Sequence, residues 1–316
     1  MKQVAVYGTG LIGSGWGVDF LRHDCAVSFY DLDDEKLAAA RQSLEDGFKF
    51  LTEAGVMTAE AAGVYLSRAT FTTDIKTAVE HAQFIQENGP ERIAIKHAII
   101  KDIESWCPPD AIICTSTSGL LISDIAARAE HPERIVGGHP YNPVYLIPLV
   151  ELSKGEKTSQ ETLDGAVDFY RQVGKEPVVL NKECPGFISN RIQMAINREA
   201  YDLVFRGVCS VEDVDRAITF GPGLRWAIMG PYLVNQLTGG KGGFRYMADV
   251  FEPVSRAWME DMARWTRAPE GHTDMAVAGI AQEMANRTPG TGRTDEELID
   301  YRNKGLVALL KFHGKL

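Results

Sequence analysis

The side chains best suited to move a proton near neutral pH lie in Gly137-Gly138-His139-Pro140-Tyr141-Asn142-Pro143 and in Pro148-Leu149-Val150-Glu151 just beyond it. A short apolar run, Ile135 and Val136, leads into a Gly-Gly pair that lets the backbone approach a neighbour closely. A histidine comes next, then Asn-Pro punctuation. A second apolar run, Leu146 to Val150, carries Glu151 near its end. If the two runs are neighbouring strands, His139 and Glu151 can meet. An imidazole exchanges protons near neutrality, and a carboxylate on its far nitrogen fixes the tautomer and stabilises the imidazolium. A loop histidine satisfied by a carbonyl would read the same from this stretch alone, so the rest of the chain has to decide.

The second chemical signal is at the start. Gln3 to Tyr7 reads as a short buried strand, Gly8-Thr9-Gly10-Leu11-Ile12-Gly13 follows at once, and a helical pattern runs on through Trp16, Val18, Phe20 and Leu21. In GxGxxG the first glycine permits the tight turn, the second lets a pyrophosphate approach the backbone, and the third lets helix and strand pack closely. Free amides at the helix start and their partial positive charge favour that pyrophosphate. A bare GxGxxG is weak evidence, and a purely structural turn is the competing reading. Here a second strand, Ala26 to Tyr30, ends on Asp31. An acid at that point binds both ribose hydroxyls and repels a 2′-phosphate, which favours NAD over NADP.

These groups need elements to position them. Helical patterns over Glu35 to Phe50, Ala59 to Ser67 and Lys96 to Trp106 alternate with strand patterns at Phe84 to Glu87 and Ala111 to Thr115. Such alternation implies a mainly parallel sheet covered on both faces, whose ligands sit beyond the carboxyl ends of its strands. Asn88 to Glu91, Ser116 to Ser118 and His139 all follow strands in that sense. The last strand-like run is Glu176 to Leu180, and helical patterns dominate afterwards at Phe187 to Phe205, Val211 to Phe220 behind a Ser210 cap, Met247 to Trp265, Met275 to Met284 and Asp295 to Phe312. Gly221-Pro222-Gly223 breaks the helical pattern. The fold class is therefore α/β: a Rossmann-type, mainly parallel domain over 1–182, then an all-α domain over 183–316.

Bulk properties exclude several classes. The 316 residues are 45% hydrophobic and 24% charged, normal for a globular protein, and the net charge of −10 argues against nucleic acid or an acidic membrane surface as partner. No apolar run is long enough to span a bilayer. The five cysteines are scattered without a CxxC pair, which suits neither a disulfide framework nor a zinc site and fits a reducing cytoplasm. No metal is expected, nor a signal peptide, since a strand pattern begins by residue 3.

Taken together, Gly8 to Gly13, the Thr117-Ser118 turn, Gly138 to Pro143, Leu149-Val150-Glu151 and Pro185-Gly186-Phe187-Ile188-Ser189-Asn190-Arg191 resemble the 3-hydroxyacyl-CoA dehydrogenase superfamily, in order and over nearly the whole chain. The resemblance implies that His139 is the general base, Glu151 its orienting partner, and Ser118 and Asn190 donors to the reacting oxygen. It implies that Asp31, Glu91 and Lys96 lie along the cofactor cleft with the glycine-rich turn. Ser116 stands where acyl-CoA members usually carry asparagine beside the nicotinamide.

Within the superfamily, Phe84 to Arg92, Ser116 to Leu121, His131-Pro132-Glu133-Arg134, Asn142 to Glu151 and Gly223-Leu224-Arg225-Trp226 with Met229-Gly230 look like the L-carnitine dehydrogenase branch. The lambda-crystallin and L-gulonate 3-dehydrogenase branch shares much of this pattern. The implied reaction is NAD-dependent oxidation of the 3-hydroxyl of a small 3-hydroxy acid. Neutral imidazole is the starting form, so oxidation should quicken with pH through the His139 titration. A quaternary ammonium wants aromatic faces and a carboxylate wants an arginine, which makes Tyr141, Arg225 and Trp226 candidate substrate contacts. The same chemistry on a sugar acid such as L-gulonate, or a non-catalytic crystallin-like protein that kept the fold, are the competing readings. Relatives of this kind usually pair, so a homodimer through residues beyond Lys182 is expected.

Overall fold

In the computed structural model, which describes all 316 residues, the short apolar runs become one eight-stranded sheet. Its strands are β1 (Lys2–Tyr7), β2 (Cys25–Tyr30), β3 (Ala69–Thr72), β4 (Phe84–Glu87), β5 (Ile112–Thr115), β6 (Ile135–Pro140), β7 (Leu149–Lys154) and β8 (Glu176–Val179). Their spatial order is β3-β2-β1-β4-β5-β6-β7-β8. Every neighbouring pair is parallel except β6 and β7, which run antiparallel. The sheet is therefore mainly parallel with helices on both faces, as the alternation of patterns implies.

Side-chain alternation along β1 divides the core in two. Val4 and Val6 join Trp16, Phe20, Phe29, Phe48 and Tyr170 on one face, while Ala5 and Tyr7 join Ile85, Ile100, Ile103 and Ile113 on the other. Two buried faces explain why these strands read as unbroken apolar runs.

By compactness the chain divides into Met1–Asn190 together with Leu306–Leu316, and Arg191–Gly305. The sequence reading assigns 183–316 to the helical domain, yet the last residues belong with the sheet. Val307 and Leu310 are buried in its larger core and carry the chain end back to it. The second unit is helical throughout, and Ser210 caps Val211–Phe220 by accepting a hydrogen bond from the Asp213 amide. At Gly221 the helix stops as expected, and Pro222 opens a further short helix, Pro222–Trp226, in the first turn where proline costs no hydrogen bond. No helix is long and apolar enough to cross a membrane.

The connection between β6 and β7 sets the site. The apolar run from Leu146 does not begin a strand. The Leu146 and Ile147 amides both donate to Pro143 O, forming a turn after the cis Asn142–Pro143 peptide, and β7 starts only at Leu149. Val144 and Leu146 are buried, which is where the apolar signal goes. The buried Lys175 ammonium donates to the carbonyls of Val144 and Ile147 and pairs with Asp19 Oδ2 at 3.0 Å. Gly138 is required as well: a Cβ there would sit 2.3 Å from Cys114 Sγ and 2.5 Å from the Tyr170 hydroxyl.

Candidate active site

Antiparallel pairing of β6 with β7 places His139 directly opposite Glu151. The His139 Nδ1 to Glu151 Oε2 distance is 2.9 Å, and both side chains are buried. Nδ1 thus donates to the carboxylate, and Nε2 is the nitrogen that exchanges a proton. The Phe187 ring stacks on the imidazole with centroids 5.1 Å apart and planes at 24°, and the Tyr141 ring meets it edge-on at 5.4 Å. Phe187 reaches this place from a left-handed backbone, φ 52°, just after Gly186 at φ 77°. A bulky residue rarely holds such a conformation, which costs on the order of 1 kcal/mol or more and persists only when the surroundings over-determine it.

Glu151 serves more than the histidine. Its Oε1 accepts hydrogen bonds from the Ile188 and Ser189 amides, each at 2.9 Å, and its Oε2 also accepts from the Ser189 hydroxyl at 2.5 Å. One carboxylate therefore anchors the imidazole and the start of the helix Ser189–Phe205. Burial pushes the Glu151 carboxyl up, but donation from His139, Ser189 and Ile188 outweighs it and holds the group below the usual glutamate range.

Asn190, the second residue of that helix, donates from Nδ2 to Ser118 O at 3.1 Å and accepts on Oδ1 from the Tyr141 hydroxyl at 2.9 Å. The turn carrying Ser118 is held by Glu91, whose Oε1 accepts from the Thr117 hydroxyl at 2.6 Å and from the Ser118 and Gly119 amides, each at 2.9 Å. His139, Glu151, Ser118, Asn190, Tyr141 and Glu91 are thus linked in one hydrogen-bonded set within the first unit.

The dinucleotide end of the sheet follows from glycine geometry. Gly8 turns at φ 82°, and a Cβ on Gly13 would lie 1.9 Å from Gly8 O, so the third glycine is needed for helix Leu11–Arg22 to meet β1. Nothing lies within 4 Å of a Cβ built on Gly10, which leaves room for a pyrophosphate against the backbone. Leu11 and Ile12 form the first turn of that helix. A cavity of about 520 Å³ opens here, lined by Gly8, Thr9, Gly10, Asp31, Asn88 and Pro90 among others. Asp31 Oδ2 accepts from the Thr9 amide at 2.8 Å and its hydroxyl at 3.0 Å, which pins the acid at the end of β2. The turn, the open helix start and the acid fit an adenine dinucleotide.

Two expected cofactor residues turn inward. The Lys96 ammonium is buried between both oxygens of Glu87, at 3.0 and 2.8 Å, and Gly89 O at 2.9 Å. Glu87 also accepts from the Thr115 hydroxyl at 2.6 Å, so this pair sets the loop leading to Glu91. Ser116 Oγ donates to Asn88 Oδ1 at 2.7 Å and accepts from Trp16 Nε1 at 3.1 Å and Gln86 Nε2 at 2.9 Å. Its hydrogen-bonding capacity is committed to the loop rather than directed outward. Arg225 and Trp226, both exposed, lie on Pro222–Trp226 in the second unit. Sequence reasoning assigned no role to Ser189, Glu87, Thr117 or Phe187; the Thr117-Ser118 turn, the Pro185-to-Arg191 stretch and the acid ending β4 carried the only hints of them.

A buried His–Glu pair and a dinucleotide turn within one unit fit a nicotinamide-dependent alcohol dehydrogenase. Comparison with known proteins makes this specific. Residues 3–184 match the NAD-binding domain model of 3-hydroxyacyl-CoA dehydrogenase and residues 186–276 match its C-terminal domain model, and the chain belongs to that family. It is similar to L-carnitine dehydrogenase of Streptomyces coelicolor, 38% identical across 100% of this chain and 96% of the relative. The enzyme of that name from Oceanobacillus iheyensis is 39% identical across 98% and 97%. Among solved structures, the NAD+-dependent dismutase 5-formyl-3-hydroxy-2-methylpyridine 4-carboxylic acid 5-dehydrogenase superposes with a TM-score of 0.82 at 31% identity, covering 99% of this chain and 98% of that one. The protein is an NAD-dependent 3-hydroxy acid dehydrogenase, with NAD as its cofactor.

Proposed function

We propose that the chain oxidises the 3-hydroxyl of L-carnitine to 3-dehydrocarnitine, with His139 as general base. The observation that carries the chemistry is the buried His139–Glu151 pair in register across β6 and β7. His139 Nε2 takes the hydroxyl proton while Glu151 keeps the ring aligned and stabilises the imidazolium, help worth about 10²–10⁴-fold. Ser118 and Asn190 place donors on the oxygen as it becomes a carbonyl, and the Phe187 ring covers one imidazole face against water. Bound NAD supplies the hydride acceptor. Asp31, Gly8, Gly10 and Gly13 hold its adenosine and pyrophosphate, and Glu91 keeps the Ser118 turn in place. The choice of carnitine is supported by near-full-length similarity to two enzymes of that name.

The test is NADH formation with L-carnitine, L-gulonate and 3-hydroxybutyrate offered separately. Preference for L-carnitine is expected, and turnover of L-gulonate with none of L-carnitine overturns the assignment. The whole-chain likeness to a dismutase adds a second reading: a hydrated aldehyde presents the same O–H above a C–H bond, so aromatic aldehydes belong in the same screen.

The functional molecule is further proposed to be a homodimer built through the second unit. That unit leaves large apolar side chains in solvent, among them Phe220, Tyr232, Leu237, Phe251 and Trp258, far more than scattered surface residues explain. Light scattering should give twice the chain mass of 34.8 kDa, and a purely monomeric solution at micromolar concentration refutes it.

A further inference from the structure

Asn190 is held at both ends of its amide. The Ser118 carbonyl can only accept, so the group facing it at 3.1 Å must be Nδ2, and Oδ1 must then face Tyr141. With its oxygen on that side, the amide can only accept from the tyrosine. The Tyr141 O–H is thereby spent on Asn190, although the aromatic ring stands beside the imidazole and reads from sequence as a substrate contact. The ring and the hydroxyl have separate duties: the ring borders His139, and the hydroxyl secures a neighbour.

We infer that Tyr141 is a positioning residue whose hydroxyl fixes the plane of the Asn190 amide. The inference rests on the reading of Asn190 as a donor to the reacting oxygen. With Ser118 O as its only partner the amide could swing about its Cβ–Cγ bond and still keep that one hydrogen bond. The second bond, from Tyr141, removes the swing. Both ends of the restraint trace back to groups already anchored elsewhere. Ser118 belongs to the turn gripped by Glu91, and Asn190 follows Ser189, which is tied to Glu151. Tyr141 is two residues beyond His139 on the same chain segment. Its hydroxyl therefore ties the placement of the amide to that of the base, so that the proton acceptor and the oxygen's donor keep a constant separation. Burial raises the Tyr141 hydroxyl above the usual tyrosine value, so the group stays protonated and able to donate at working pH.

Tyr141→Phe removes the hydroxyl and keeps the ring. It should lower kcat about three- to tenfold, the equivalent of one net hydrogen bond, with NAD affinity unchanged. Asn190→Ala should cost more, and Tyr141→Phe added to it should cost nothing further, within twofold. An equal loss from Tyr141→Phe in both backgrounds means that the hydroxyl acts on the substrate itself and overturns the inference. A readout independent of turnover separates this from a wrong substrate assignment. In 15N-correlated spectra the Asn190 side-chain amide, identified by its loss in Asn190→Ala, should shift and broaden in Tyr141→Phe. An unchanged Asn190 amide signal in Tyr141→Phe defeats the proposal, whichever alcohol the enzyme oxidises.

Discussion

Replacing Glu151 by glutamine tests the centre of the site without emptying it. The carboxylate accepts four hydrogen bonds: from the Ile188 and Ser189 amides on Oε1, and from His139 and the Ser189 hydroxyl on Oε2. A glutamine has one oxygen and one NH₂, so it must choose. Turning the NH₂ toward the two helix amides would set three donor groups against one another and leave two backbone N–H groups unmet, at about 1–3 kcal/mol each. Turning the NH₂ toward His139 keeps both amides satisfied, and the Ser189 hydroxyl can accept instead of donate. That orientation is cheaper and wins. It forces Nδ1 to accept, which moves the imidazole proton to Nε2, the nitrogen that has to be bare to act as base. A wrong tautomer forfeits most of the general-base contribution, so kcat should fall about 10²–10⁴-fold. At 1.36 kcal/mol per decade this is about 2.7–5.4 kcal/mol of barrier. Steady-state NADH formation, with NAD affinity measured separately, reads it directly. A kcat within fivefold of the parent at unchanged NAD affinity refutes the reasoning, because the acid would then contribute neither orientation nor charge.

Three further outcomes follow from the same geometry. Because Glu151 is held below its ordinary value of 4.5, its stabilising contribution is complete above that pH and drains away as pH falls through the lowered value. Urea midpoints for the parent and Glu151→Gln should accordingly converge in acid, and a constant gap down to pH 3 counts against the linkage. His139→Ala should keep NAD binding, since His139 does not line the cavity at the glycine-rich turn, while turnover collapses; near-normal turnover removes the base assignment. Lys96→Met strips the cation from a buried pair and should destabilise the fold by about 3–5 kcal/mol, seen as a lowered Tm. Weakened NAD binding at an unchanged Tm would instead put Lys96 on the cofactor.

What was legible in the chain, and what was not, divides along a physical line. GxGxxG between a strand and a helix is a local device, and Gly8, Gly13 and Asp31 stand where that device requires them. The meeting of His139 with Glu151 needed one non-local assumption, that two apolar runs are neighbours, and the β6–β7 register supplies it. The Leu146 to Val150 run was a poorer guide to the strand's start, because burial in a turn and burial in a strand leave the same apolar signature at Val144 and Leu146. Buried polar partnerships were the least legible. The resemblance places Lys96 along the cofactor cleft, and nothing in its local spacing announces that Glu87 will enclose its ammonium. Ser116, which stands where relatives carry asparagine beside the nicotinamide, gives no local sign that Trp16, 100 residues away, will donate to it.

The supporting set around the base was hidden for a related reason. Phe187 reaches the histidine and Ser189 reaches Glu151 through a segment in which Gly186 and Phe187 both adopt left-handed backbones, and sequence signals that freedom at the glycine alone. A chain that turns so sharply there delivers three things together: an aromatic lid, a hydroxyl for the carboxylate, and two helix amides pointing at it. The amides matter electrostatically, since the N-terminus of a helix favours negative charge. His139 first, and then the element that also carries Asn190, hold Glu151 below the usual glutamate range, and any change that loosens that turn must disturb the imidazole and the amide at once. His139 and Asn190 are coupled through one carboxylate, not placed independently.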